Sequence, residues 1–211
     1  MCSWNKSRPS PPAARHANGR LPHGGKRDTL SEPTEAGVHA GDGGSTRLPG
    51  GVVVAKSDPR LEAAGVVDEL VCALGIARAA LAEETLRADL LRAQKDLFLI
   101  GAECAAGPER AAALPTRLGP PHCQALDRWT AALESRAKAP RDFVLPGESL
   151  PAAHVDFARA VARRCERRLV ALSEKGHLDN PHILRWSNRL STALWLVARV
   201  VENQSHRPRG S

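Results

Sequence analysis

The feature that most constrains this chain is a recurrence of apolar side chains at three- and four-residue steps, which begins near Leu61 and holds, with short breaks, to about residue 203. Such steps line one face of an α-helix, whereas a half-buried strand needs strict alternation. In "DPRLEAAGVVDELVCALGIARAALAEE" the stripe is Val67, Leu70, Leu74 and Ala77, and Asp58 with Pro59 forms a start signal. A second helix fits "TLRADLLRAQKDLFLIGAECAAG", with Leu86, Leu90, Ala93, Leu97 and Ile100 inward and Gly107-Pro108 as its stop. A shorter helix is predicted over 120–137 around Cys123, Leu126 and Trp129, after which Pro146 and Gly147 in "DFVLPGES" break the pattern. Two long helices over 150–174 and 179–203, separated at Gly176, complete the set. Five helices on one core predict an all-α fold, an antiparallel five-helix bundle. Hydrophobic residues make up 42% of the chain but aromatics only 3%, so the core must be Leu, Ala and Val, which suits closely packed helices.

The formal charge of +7 is confined to one end. Lys6, Arg8, Arg15, Arg20, Lys26 and Arg27 lie in an acid-free stretch, which leaves the rest of the chain near neutrality and gives a phosphate-backbone binder little support. Residues 1–37 carry Pro, Gly, Ser and charge without periodicity and are expected to form a disordered basic tail. The bundle is expected over 38–203, its first segment 38–57 being a loop, with a second tail over 204–211. No segment has the ~20 consecutive apolar residues of a membrane span. The tail has the serines and basicity of a transit peptide, but the prolines and glycines of "RPSPPAARHANGRLPHGG" oppose an amphipathic helix. A cytoplasmic location is expected, with a mitochondrial one as the alternative if the tail is a transit peptide. Cysteines 2, 72, 104, 123 and 165 show no C-x-x-C pairing and are expected to be reduced thiols; His122 beside Cys123 is read as a loop feature, and no metal ligands are assigned.

Two helices carry unusual polar strips. In "ARAVARRCERRLVAL", a rotation of about 100° per residue gathers Ala158, Val161, Ala162, Cys165, Leu169 and Leu172 on the buried face. Arg159, Arg163 and Glu166 fall along its border, where an arginine pair held by a glutamate could clamp a polyphosphate, while Arg164, Arg167 and Arg168 point elsewhere. The last helix has Ile183, Leu190, Leu194, Val197 and Val201 as its core stripe, with Asn188, Ser191, Thr192 and Trp195 on an adjacent strip. A helical bundle consumes its own N–H groups, so the glycine-rich run "GDGGSTRLPGG" at 41–51 is a candidate source of free backbone donors.

Four blocks in this order resemble the PduO-type ATP:cob(I)alamin adenosyltransferases, also called corrinoid adenosyltransferases. They are "GDGGST" at 41–46, "SDPRLEAAGVVDELVCALG" at 57–75, "FVLPGES" with "ARAVARRCERRLVAL" over 143–172, and "NRLS" at 188–191; "QKDLFLIGAE" at 94–103 also fits. The resemblance implies a homotrimer of five-helix bundles with active sites between subunits. It also implies transfer of the 5′-deoxyadenosyl group of ATP to cob(I)alamin with release of triphosphate, assisted by Mg2+. By this likeness Gly41, Asp42, Gly43, Gly44, Ser45, Thr46 and Lys56 bind the ATP phosphates. Arg159 and Arg163 stabilise the leaving charge, Glu166 orients the arginines or the metal, and Asn188 contacts the nucleotide. Asp68 pairs across the interface with Arg159, and Phe143 displaces the lower axial ligand of cobalt. A flavoprotein reductase or an adenosylcobalamin-dependent mutase is the expected protein partner.

The sequence departs from the family pattern at the loop entrance, where Val38, His39 and Ala40 replace hydroxyls and a charge, at Val71, and at Thr192, which stands where an acid is usual. These changes motivate an alternative, a cobalamin- or ATP-binding relative with weak or no catalysis that holds or delivers adenosylcobalamin.

Overall fold

The computed structural model describes residues 41–137 and 143–205; the expected basic tail and the altered positions Val38, His39 and Ala40 lie outside the described residues. A short hairpin, β1 (Ser45–Arg47) and β2 (Val53–Ala55), precedes six helices: α1 (Pro59–Ala80), α2 (Glu84–Ala106), α3 (Pro108–Ala111), α4 (Pro120–Arg136), α5 (Leu150–Glu174) and α6 (Pro181–Ser205). The five long helices are the five expected from periodicity, and every stripe residue named above is buried. α3 is one additional turn, started by Pro108 after Gly107 takes a positive φ of 71° that few other residues adopt. α6 continues through Gln204 and Ser205, where the sequence reading places a tail.

The helix starts follow local chemistry. The Asp58 carboxylate accepts from the Arg60 backbone N–H at 2.9 Å, and Pro59 stands in the first turn, where no N–H is needed. The Arg60 guanidinium grips both oxygens of the same carboxylate and holds its pKa down at about 2. Ser149 caps α5 by accepting from the Ala152 N–H. His122 Nδ1 accepts from the Gly119 N–H at 3.1 Å, so this histidine closes the first turn of α4.

α5 packs between α1 and α6; α2 lies on α1, and α4 on α6. The cross-helix ion pairs fix the directions. Glu69 meets Arg164 and Glu62 meets Arg168, so α5 runs against α1; Asp156 meets Arg199, so α6 runs against α5. Each long helix reverses its predecessor, and α4 and α6 therefore run the same way, with Asp127 reaching Arg185 and Arg189. The surface arginines 164 and 168 thus serve as ion pairs of modest worth.

A buried carboxylate ties the end of the bundle together. Glu103, fully shielded at its side chain, accepts from the Leu118 N–H at 2.8 Å, from Arg117 Nε at 2.9 Å and from Asn180 Nδ2 at 3.0 Å. Asn180 also donates to the Leu118 carbonyl, so α2, the segment before α4 and the start of α6 share one polar knot. The four described cysteines are free; burial pushes the Cys104 and Cys165 thiols up to about 12, which makes them packing groups rather than nucleophiles. No helix among the described residues is long and apolar enough to cross a membrane.

Candidate functional site

The glycine-rich run divides into two halves with different work. Gly50 and Gly51, with φ of 85° and 87°, form the turn of the hairpin: the Gly51 N–H bonds the Leu48 carbonyl at 3.0 Å, with Pro49 and Gly50 between them in the pairing that a type II turn favours. Leu48 is buried and pins the turn to the body, while Arg110 of α3 donates to the Pro49 carbonyl at 2.9 Å. A Cβ on Gly50 would lie 1.0 Å from Arg110 Nη1, so this position admits only glycine without displacing that arginine. Strand pairing sets Ser45 opposite Ala55 and Thr46 opposite Val54.

The other half, residues 41–44, is an exposed turn in which the Gly44 N–H bonds the Gly41 carbonyl. Gly41 and Gly44 have positive φ, and nothing lies within 4 Å of a Cβ placed on Gly43 or Gly44. The Lys56 N–H donates to the Gly44 carbonyl at 2.8 Å, and the Lys56 amine sits over Gly41. Residues 41–46 and Lys56 are therefore brought together as an open loop under one ammonium group, a shape that can receive an anion.

The arginine strip forms a second feature. Arg159 and Arg163 of α5 and Ser191, Thr192 and Trp195 of α6 line one open groove of about 250 Å³. Arg163 is exposed and makes no ion pair among the described residues. Arg159 is held, but not by Glu166 as the strip geometry suggested: its Nε donates to Asp156 Oδ1 at 3.0 Å. Asp156 is buried, and its other oxygen accepts from Arg199 at 2.6 Å; Arg199, equally buried, also donates to Glu202 at 2.9 Å and lies 5.9 Å from the centre of the Trp195 ring. Glu166 is half-buried one turn beyond Arg163, without an ion pair among the described residues. Asn188 is exposed one turn before Ser191, whose hydroxyl donates to the Asn188 carbonyl.

Loop and groove do not meet within this chain. Ser57, next to Lys56, lines one small open pocket with Ala171 and Lys175 near the C-terminal end of α5. At 1.5 Å per residue, Arg163 lies about 12 Å and Arg159 about 18 Å back along that helix from Ala171. Asp68 is exposed and has no ion pair among the described residues. Phe143 stands clear of the bundle, wholly exposed, with exposed Leu145 and Leu150 nearby in the chain.

The buried Asp156–Arg199–Glu202 array was not anticipated from the sequence. Its signal was present as charged residues at positions where periodicity calls for burial, but the partners are 43 residues apart and only the fold joins them. No group of three or more His, Cys, Asp or Glu able to hold a metal occurs among the described residues.

Comparison with known proteins gives one consistent answer. The profile of the cobalamin adenosyltransferase family matches residues 37–201. A corrinoid adenosyltransferase of Citrobacter freundii is 38% identical over 165 residues, a match covering 78% of this chain and 93% of that one. The corrinoid adenosyltransferase PduO of Salmonella typhimurium is 35% identical over 169 residues, and there the match covers 80% of this chain but only 50% of the relative. A single-residue variant of the PduO-type ATP:corrinoid adenosyltransferase of Lactobacillus reuteri, solved in complex with cobalamin and ATP, superposes with a TM-score of 0.71 at 28% identity over 80% of this chain and 93% of its own.

Proposed function

The chain belongs to the cobalamin adenosyltransferase family, and from that premise we propose that it transfers the 5′-deoxyadenosyl group of ATP to the cobalt of reduced cobalamin, yielding adenosylcobalamin and triphosphate. The observation that carries this reading is the groove lined by Arg159, Arg163, Ser191, Thr192 and Trp195, a cationic wall with an aromatic plane beside it. Co(I) attacks C5′ of ATP, the Co–C bond forms, the C5′–O bond breaks, and the electron pair leaves on triphosphate. The nucleophile is the metal of the substrate, so the protein needs no serine, cysteine or base of its own.

What the chain contributes is placement and charge. Arg159 and Arg163 face the phosphates and stabilise the departing triphosphate. Asn188 contacts the nucleotide, and residues 41–46 with Lys56 close over the phosphate chain with backbone N–H groups and an ammonium. Magnesium keeps several waters and binds through one or two carboxylates plus phosphates; Glu166, half-buried one turn beyond Arg163, would hold the hydrated ion, which would neutralise phosphate charge. Phe143 offers its exposed ring to the lower face of the corrin.

The separation of loop and groove along α5 supports a homotrimer in which the loop of one subunit closes over the groove of the next, with Asp68 of one reaching Arg159 of the other. Arg159 spends its Nε on Asp156 and retains both terminal nitrogens for such partners. The protein partner we assign is a flavoprotein that supplies Co(I) or a mutase that consumes the product. The free cysteines fit a reducing compartment such as the cytoplasm.

Thr192 in the groove wall favours a second reading, a carrier that binds cobalamin without turnover, because a hydroxyl cannot replace a carboxylate as a charged partner. Anaerobic mixing of the protein with cob(I)alamin, ATP and Mg2+ separates the two. The cobalt absorbance should convert to that of adenosylcobalamin, and conversion should be lost in Arg163→Ala. Cobalamin binding without conversion in the unmodified protein would select the carrier.

A further inference from the structure

The groove has a support that no residue assigned above supplies. Arg159 reaches it from the border of α5, yet its Nε is turned back onto Asp156, whose side chain is 3% exposed. That carboxylate has two oxygens and two guanidinium partners: Oδ1 takes Arg159 and Oδ2 takes Arg199. Arg199 is itself 3% exposed, bonds Glu202 one turn along α6, and lies against Trp195, which lines the same groove as Arg159 and Arg163. Two acids and two arginines balance in charge within the array, which is what allows it to sit in the core.

We propose that Asp156 and Arg199 are positioning residues: together they fix the roll of the Arg159 guanidinium and the plane of Trp195, so that α5 and α6 present one rigid cationic and aromatic wall to the triphosphate side of ATP. The proposal rests on the reading of Arg159 as a phosphate-facing group. A guanidinium anchored through Nε cannot rotate about its last bonds, and its two terminal nitrogens are then aimed as a fork, the geometry that phosphate oxygens match. Without Asp156 the same arginine would sweep a cone over the groove, and a displacement of about 1 Å at such a group can cost on the order of a hundredfold in rate. Arg199 acts on both members of the wall, since it holds Asp156 from behind and packs on Trp195. Both carboxylates are bonded by one terminal nitrogen of Arg199, while the rest of the guanidinium plane lies beside Trp195.

The test is a double-variant cycle on kcat and on KM for ATP, using the whole protein with pre-reduced cob(I)alamin and Mg2+, with Kd for ATP measured where turnover is too low. Asp156→Asn, close in shape, should lower kcat/KM for ATP by about ten- to a hundredfold and leave KM for cobalamin within about twofold. In an Arg159→Ala background the same change should have no further effect on ATP affinity, because the arginine it positions is gone. Arg199→Gln, which removes the charge behind Asp156 and the guanidinium plane beside Trp195, should reproduce the loss. The neutral pair Asp156→Asn with Arg199→Gln, which retains hydrogen bonding without buried charge, provides a folded comparison if a single variant is unstable. A loss of equal size in both Arg159 backgrounds, or wild-type kinetics in a folded Asp156→Asn or neutral-pair protein, overturns the positioning role. Wild-type kinetics in Arg159→Ala would instead remove the phosphate-facing reading of Arg159, and the proposal with it.

Discussion

Gly50 is the point where the hairpin can be weakened while the bundle is spared. Gly50→Ala places a Cβ at a φ of 85° and 1.0 Å from Arg110 Nη1. The positive φ costs about 1–2 kcal/mol for a residue with a Cβ. Arg110 is an exposed, flexible side chain and can swing away, but only by giving up its bond to the Pro49 carbonyl, worth about 0.5–1.5 kcal/mol. Gly51→Ala meets the same backbone penalty at a φ of 87° with open space around it, so it costs only the first part. The two variants should therefore differ by about 1 kcal/mol, roughly fivefold in an equilibrium constant. Strands of three residues are marginal by themselves, so the penalty should open residues 45–55 locally rather than unfold the helices. Hydrogen exchange over 45–55 should speed up in the order wild type, Gly51→Ala, Gly50→Ala. KM for ATP should rise by about tenfold to at most a few hundredfold for Gly50→Ala, the range set by a combined penalty of about 1.5–3.5 kcal/mol, with Tm changed by less than about 2 °C. In an Arg110→Ala background the gap between the two alanine variants should close. Equal effects in the presence of Arg110, or a gap that survives its removal, would refute the assignment of the difference to that contact. A large fall in Tm would refute the local character of the hairpin.

Three further outcomes follow from other parts of the molecule. Glu103→Ala strips partners from Arg117, Asn180 and the Leu118 N–H at once, and should lower stability by about 3–5 kcal/mol and Tm by roughly 10 °C in thermal unfolding. Glu83 is held down at about 2, chiefly by its bond to Arg136 with help from Thr85 and Gln204. Its folded pKa lies below the unfolded one, so its contribution is present at neutral pH and lost as pH falls from about 4.5 to about 2; Glu83→Gln should flatten unfolding curves across that window. Phe143 touches nothing in the bundle, so Phe143→Ala should leave Tm unchanged within about 1 °C while slowing turnover that starts from Co(II) and sparing turnover from pre-reduced Co(I).

The helices were legible because burial imposes a period on the sequence: every member of the α5 stripe from Ala158 to Leu172 is inside. The strip beside it was legible in part. Periodicity puts Arg159, Arg163 and Glu166 on one border, but it ranks neighbours by helix angle alone and so pairs Arg159 with Glu166. In the fold the better acceptor is Asp156, one turn earlier, because Arg199 arrives from α6 to balance it. Long-range balance of this kind leaves no local mark beyond a charged residue in an apolar register. The hairpin was hidden for a different reason. Three-residue strands carry too little alternation to read, although the Pro49-Gly50 turn signal stood within the glycine-rich run itself. Register and anchoring there depend on Leu48 and Arg110, the second of which lies 61 residues away.

The distance along α5 between the loop and the arginine groove has a genetic consequence. In a trimer whose sites each take the loop from one chain and the groove from its neighbour, a chain with a ruined loop and a chain with a ruined groove are each inactive alone but not equivalent. Refolded together in equal amounts, they would place an intact loop against an intact groove at about one site in four. Two null alleles of this gene would then complement each other in the same cell, whereas two alleles damaged in the same half would not.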